Sequence, residues 1–169
     1  MKLFVTCFLI VLCSGILHAT LIHRYDFNNS FADNFAGPAL IPVHTDTSTF
    51  DSGTWSWTSF STPGGGLLLN TSMPNQNTYS LRIVFKYNSI NTIWTKIISF
   101  AGYYNVNHYF SSDNGLYFNH GNLYLYPYLN NTNYLFQTNT WYDLLLTRDA
   151  LDMVNVYLNP LGQTRQLVL

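Results

Sequence analysis

The acidic residues of this chain are all aspartates, and their spacing offers no pair suited to acid–base catalysis. Glutamate is absent from the sequence, and the eight carboxylates belong to Asp26, Asp33, Asp46, Asp51, Asp113, Asp143, Asp149 and Asp152. Hydrolysis of a glycosidic bond uses two carboxyl groups that face each other across it, one protonated and one ionised. No D-x-D spacing occurs, and Asp149 with Asp152 lies in a predicted turn. The sequence therefore predicts a protein that is not an enzyme.

The histidines and serines also lack the spacing of a catalytic or zinc site. Five histidines are present, but no H-x-H, H-x-x-x-H or G-x-S-x-G pattern occurs. These are the spacings expected of zinc ligands and of a nucleophile elbow. His23 is adjacent to Arg24 and close to Asp26, and we predict a structural hydrogen-bonding role for it.

A stripe of tyrosines is the best candidate for a binding surface. Asn122, Tyr124, Tyr126 and Tyr128 alternate with Leu123 and Leu125. If the leucines face the core, the tyrosines line the opposite face, where a ring can stack on a sugar while its hydroxyl bonds a sugar oxygen. The sequence predicts a carbohydrate site at these four residues. The alternative is a tyrosine-rich face covered by a loop or by a neighbouring subunit.

The N-terminus has the pattern of a secretory signal. Lys2 precedes an apolar run at residues 3–17 that is too short to span a membrane as a helix. We predict a helical signal peptide at residues 1–19, a mature domain at residues 20–169, and a secreted, extracellular protein. Cys7 and Cys13 both lie in the signal, so the mature chain would contain no disulfide. Three glycosylation sequons follow, at Asn28, Asn70 and Asn130.

The composition excludes one large class of partner. Charged residues make up 9% of the chain and the net charge is −1, so there is no basic surface for a phosphate backbone. We therefore expect no nucleic-acid partner. Aromatic residues make up 17%, including 13 tyrosines. A neutral, hydrogen-bonding surface of this kind suits sugars, or packing against copies of the same protein.

The alternation of apolar and polar residues predicts an all-β domain. Residues 79–87 form the clearest strand pattern, with Tyr79, Leu81, Ile83, Phe85 and Tyr87 on one face. Trp55 and Trp57 are predicted to share a core face. Further strands are predicted at residues 21–27, 54–60, 67–70, 94–100, 115–119, 122–126, 134–136, 141–149 and 153–159. Short strands at this spacing favour a two-sheet antiparallel sandwich or jelly roll.

Several segments resemble concanavalin A-like, laminin G-like jelly-roll domains. The strongest is the hairpin at residues 141–159, with W-x-x-L-x-L-T-R-D followed by Tyr157-Leu-Asn159. Others, in the same order as in that family, are His23-Arg-Tyr-Asp-Phe-Asn28, Gly37-Pro-Ala-Leu40, Gly65-Gly-Leu-Leu-Leu69 and Gly121-Asn-Leu-Tyr-Leu-Tyr-Pro127. Domains of this family continue past the hairpin with two or more further strands. The resemblance therefore implies either an incomplete chain or an open strand position beside residues 21–27.

The same resemblance bears on activity and metal binding. Glucanases that share this jelly roll use an E-x-D-x-E motif, and this chain lacks that motif because it contains no glutamate. Related domains often carry one Ca²⁺, and Asp113 could supply one ligand. Residues 112–115 equally fit a simple β-turn, so we expect no cofactor. The resemblance implies a lectin-like module that binds an extracellular glycan or glycoprotein. The alternative is a structural protein that self-associates through an open strand edge.

Overall fold

The computed structural model describes residues 2–8, 21–58, 65–71, 77–88, 95–100, 115–119, 122–126, 130–133, 136–164 and 166–169. The strands in these residues are β1 Lys2–Phe8, β2 Ile41–Val43, β3 Thr47–Asp51, β4 Thr54–Thr58, β5 Gly66–Leu68, β6 Tyr79–Tyr87, β7 Thr95–Ser99, β8 Gly115–Asn119, β9 Asn122–Tyr126, β10 Asn130–Asn133, β11 Trp141–Arg148, β12 Val154–Pro160 and β13 Gln166–Leu167. Within the same residues there is no helix long and apolar enough to cross a membrane.

The strands form three antiparallel sheets. The largest has seven strands in the order β13-β12-β11-β6-β1-β4-β3. A second has four strands, β10-β9-β8-β7, and a third pairs β2 with β5. All the described residues in regular structure belong to strands, so the predicted all-β class is confirmed, and the arrangement is consistent with a β-sandwich.

One aromatic core joins the two larger sheets. Phe136 lies between them, with its ring centroid 4.9 Å from that of Phe118 in β8 and 4.9 Å from that of Tyr142 in β11. Both contacts are edge-on, the geometry that aromatic rings favour over face-to-face stacking. Residues from both sheets that are completely inaccessible to solvent include Leu116, Leu123, Leu144 and Leu158.

The hairpin of β11 and β12 folds as the sequence predicts. Tyr142, Leu144 and Leu146 alternate toward the core and are buried. The turn is closed by the Asp149 carboxylate, which accepts hydrogen bonds from the backbone N–H groups of Leu151 (2.8 Å) and Met153 (3.0 Å). This is the local side-chain bonding that makes aspartate a common turn residue.

The predicted strand at residues 21–27 is wrong. These residues form no strand, because their backbone groups bond to the following loop instead. The Arg24 N–H donates to Asp33 Oδ1 (2.9 Å), and the Arg24 carbonyl accepts from the Asn34 N–H (2.8 Å). Phe27 has a φ of 52°, which ends the extended run. The open strand edge predicted beside residues 21–27 is therefore absent.

The N-terminal segment also differs from its prediction. Residues 2–8, predicted to be the start of a signal-peptide helix, form β1, an internal strand of the seven-stranded sheet between β6 and β4. The strands β2, β3, β10 and β13 were not predicted either. Residues 134 and 135, in the predicted strand at 134–136, lie outside the described residues, and Phe136 is not in a strand.

Candidate functional site

The candidate sugar-binding strand is β9, and its alternation is as predicted. Leu123 is 0% exposed and Leu125 is 5% exposed, so both leucines face the core. Successive side chains of a strand point to opposite faces. Asn122 and Tyr124 therefore lie on the outward face of the four-stranded sheet, and both are half-buried.

The strand register places Tyr124 in a row that crosses the whole sheet. Tyr124 lies opposite Tyr117 of β8 on one side and Asn131 of β10 on the other. Tyr117 in turn lies opposite Lys96 of β7. Directly opposed residues of an antiparallel pair share a face, so this row combines aromatic, amide and ammonium positions. Tyr117 is only 3% exposed, which shows that the outward face is covered at β8.

The other predicted site positions are described only in part. The side chain of Tyr126 and all of Tyr128 lie outside the described residues, as does Asp113 with the suggested calcium turn. Of the sequon asparagines, Asn28 and Asn70 are exposed, and Asn130 is the first residue of β10. In the part of the chain that is described, no group of three or more His, Cys, Asp or Glu is placed to hold a metal ion.

Asp33 is the centre of a second polar cluster. Its carboxylate lies 2.6 Å from His23 Nδ1 and accepts hydrogen bonds from the backbone N–H groups of Arg24 (2.9 Å), Phe35 (3.1 Å) and Gly37 (3.1 Å). His23 is therefore hydrogen-bonded, as predicted. Burial acts to raise the pKa of the Asp33 carboxyl. The hydrogen bonds from Arg24, His23 and Phe35, with the charge of His23, outweigh it and hold that pKa below its ordinary value.

The cluster is tight enough to require a glycine. A Cβ atom on Gly37 would lie 2.2 Å from Asp33 Oδ2 and 2.7 Å from His23 Nδ1. Both distances are too short for any real contact. The Gly37-Pro38 sequence therefore reflects close packing around a carboxylate as well as a break in the strand pattern. Tyr25 closes the same loop, because its hydroxyl donates to the Pro38 carbonyl at 2.8 Å.

The carboxylates of Asp26 and Asp143 are hydrogen-bonded to nearby side chains. Arg82 makes two bonds to Asp143, of 2.8 and 3.2 Å, across neighbouring strands of the large sheet. Asp26 accepts from Arg24 Nε at 2.7 Å and from Asn34 Nδ2 at 2.6 Å. These contacts join segments of the fold to one another.

Sequence reasoning missed a ladder of hydroxyl groups on the β3–β4 hairpin. Thr47 lies opposite Thr58 and Thr49 opposite Ser56, and each pair is joined through its hydroxyls, at 3.0 Å for Thr49 and Ser56. The ladder borders a shallow pocket of about 60 Å³. The sequence contains a pattern that could have predicted the ladder, because Thr54, Ser56 and Thr58 alternate with Trp55 and Trp57. Both tryptophans are buried, as predicted.

Several buried polar groups have no hydrogen-bond partner among the described residues. They include the Trp55 Nε1, the Tyr87 hydroxyl, the Asn88 Oδ1 and the Asn159 Nδ2. Tyr87 is 1% exposed, and burial raises its pKa far above the ordinary value for a phenol. Burial therefore favours the neutral form of this phenol.

In comparisons with known proteins, the chain matches no family model, no curated protein and no solved structure. Its assignment to the concanavalin A-like superfamily is therefore still a prediction from the sequence.

Proposed function

We propose that this chain is a secreted, non-catalytic carbohydrate-binding module of the concanavalin A-like jelly-roll type, acting at the cell surface or in an extracellular matrix. The observation that carries the proposal is the position of Tyr124. Its two neighbours, Leu123 and Leu125, are anchored in the core, so the ring is held on the outward face by the strand itself.

The surroundings of Tyr124 suit a neutral sugar. Asn122 shares its face, and the register places Asn131 on one side, while the buried Tyr117 closes the other side. Amide groups supply both donors and acceptors, as sugar hydroxyls require. A phenol ring gives the apolar face of a pyranose a surface to stack on. The low charge of the chain adds no preference for charged glycans.

The contacts of the aspartates support a non-catalytic module. The Asp33 carboxylate accepts three backbone N–H bonds besides its contact with His23. Asp143 is paired with Arg82, and Asp149 closes a hairpin turn. A glycosidase acid has to remain available to protonate the leaving oxygen. Carboxylates engaged in these contacts are poorly suited to that task.

The test is a glycan array with matched tyrosine variants. The Tyr124→Ala, Tyr126→Ala double variant should lose binding while losing less stability than truncation of a fully buried aromatic would cost, because Tyr124 is only half-buried. The control is Tyr157→Ala, which removes a half-buried tyrosine from the other sheet and should leave glycan binding intact. Equal binding by the double variant and the unmodified protein would overturn the proposal. So would a loss of about 3 to 5 kcal/mol, which marks a core aromatic.

A structural protein is the second candidate function, favoured by the edges of the large sheet. The large sheet ends at β3 on one side and on the other at β13, which leaves Leu167 59% exposed. Exposed strand edges can pair with further copies. Sedimentation at increasing concentration separates the two functions. A discrete monomer supports the binding module, and an open-ended oligomer supports self-assembly.

A further inference from the structure

The N-terminal strand fills an internal position of the large sheet. Residues 2–5 of β1 pair with residues 55–58 of β4, and residues 3–8 pair with residues 82–87 of β6. Both pairings are antiparallel. We define the strand slot as the position between these two stretches of β4 and β6. Any strand in it receives backbone hydrogen bonds from both sides.

The strand slot is bordered by the aromatic core. Val5 lies opposite both Trp55 and Phe85, and Leu3 lies opposite both Trp57 and Tyr87. These four aromatic residues are buried. Opposed residues share a face, so alternate positions of any occupant lie on the core side of the sheet. The positions between them lie on the outward side, opposite Ser56, Lys86, Arg82 and the buried Val84.

Secretion would empty this slot. If residues 1–19 are removed as a signal peptide, β4 and β6 each lose the neighbour that satisfies their backbone N–H and C=O groups. Such groups are costly to leave unpaired in a buried region, and an open pair of edges recruits another strand.

We infer that in the mature protein the strand slot binds an extended segment of another protein by β-strand addition. That segment carries apolar residues at alternate positions. Before the signal peptide is removed, residues 2–8 occupy the strand slot. The inference rests on the proposed secretion of the protein. It requires no glycan binding.

The described strands of the same chain are poor substitutes for this partner. Those with the required alternation, such as β9 and β11, already pair within their own sheets, and residues 21–27 are bound to the loop around Asp33. Moving one of them would expose Leu123 or Leu144, both of which are 0% accessible to solvent. The same cost applies to a strand donated by a second copy. A separate polypeptide with a free extended segment carries no such cost.

The experiment starts from the full chain expressed in a eukaryotic secretory host, with the N-terminus of the secreted product determined by mass spectrometry. The purified protein is then mixed with a synthetic peptide of residues 2–8 carrying Cys7→Ser. We expect binding in a 1:1 ratio, a rise in melting temperature, and new hydrogen-exchange protection at residues 55–58 and 82–87.

Two peptide variants test the geometry of the slot. Val5→Asp places a carboxylate beside Trp55 and Phe85 and should weaken binding at least about tenfold, because a buried unpaired charge is strongly disfavoured. Phe4→Asp faces the outward side, opposite Ser56 and Lys86, and should still bind. Equal effects of the two changes would indicate nonspecific hydrophobic association and would overturn the inference.

The remaining outcomes also decide the question. A product that retains residues 2–8 overturns the inference, because the slot is then filled permanently by its own chain. An oligomer with residues 55–58 and 82–87 protected before peptide is added overturns it in favour of a second copy. If the processed protein aggregates, co-secretion with the peptide fused to a carrier should make it soluble, and failure to do so counts against the slot. A negative glycan array leaves these results unaffected.

Discussion

His23 and Asp33 form a buried contact that fixes the loop at residues 23–37. His23 Nδ1 lies 2.6 Å from Asp33 Oδ2, and the aspartate side chain is 0% exposed. The same carboxylate accepts the N–H groups of Arg24, Phe35 and Gly37. One ionised side chain thus replaces the backbone partners that a strand at residues 21–27 would have had.

The first prediction concerns acid stability. The pKa of Asp33 is lowered in the folded state, so its contribution to stability is present above the unfolded-state value of about 3.9 and is lost as the pH falls through the folded-state value. Asp33→Asn should cost about 1.5 to 3 kcal/mol at pH 7, the range for hydrogen bonds to a charged group. Urea unfolding between pH 2.5 and 7 measures this.

In the same experiment, the free energies of unfolding of Asp33→Asn and of the unmodified protein should become more similar below pH 4. Asp51→Asn is the control, because Asp51 is exposed, and its effect should be small at every pH. A difference for Asp33→Asn that does not depend on pH would contradict the assignment of an ionised, hydrogen-bonded carboxylate.

The second prediction concerns Gly37. Gly37→Ala places a methyl group 2.2 Å from Asp33 Oδ2, and overpacking of this kind typically costs about 1 to 3 kcal/mol. The control is Gly66→Ala in β5, where the added atom meets nothing within 4 Å. Thermal unfolding of the two variants should show a lower melting temperature for Gly37→Ala alone. Equal melting temperatures would show that the loop can move to make room.

The third prediction compares two buried phenols. The Tyr87 hydroxyl has no partner among the described residues, whereas the Tyr142 hydroxyl accepts the Gln137 N–H at 2.7 Å. Tyr87→Phe should raise the free energy of unfolding by about 1 kcal/mol, since it removes a buried group that is not hydrogen-bonded. Tyr142→Phe should lower it by a similar amount. Denaturant titration measures both, and a loss on Tyr87→Phe would point to a bound water or another partner.

The fourth prediction concerns catalysis. The purified mature protein should release no reducing sugar from laminarin, lichenan or agarose, because its sequence offers no pair of carboxylates with the spacing this reaction needs. Turnover that persists through repurification and disappears on replacing a single aspartate would contradict the prediction. Asp143→Asn is included among these replacements because the Asp143 carboxylate is paired with Arg82 in the structure.

Residue alternation predicted several strands correctly. The bounds of β6, β8 and β9 agree with the sequence pattern. The strand β11 ends one residue earlier than predicted, and β12 begins and ends one residue later. Alternation was less informative about the second face of β6, where Ser80 and Val84 are buried. The pattern shows which residues share a face, but it does not show how far other segments cover the opposite face.

The sequence by itself determined which face of each clear strand is apolar, and hence that Leu123 and Leu125 face the core while Tyr124 faces outward. That information is local, because side-chain direction repeats every two residues along a strand. The tertiary structure decided which strands are neighbours. Residues 21–27 alternate like a strand but are bound to the loop around Asp33, and residues 2–8, an apolar run with no alternation, pair between β4 and β6. Such pairings depend on backbone hydrogen bonds between distant segments, which residue spacing does not encode.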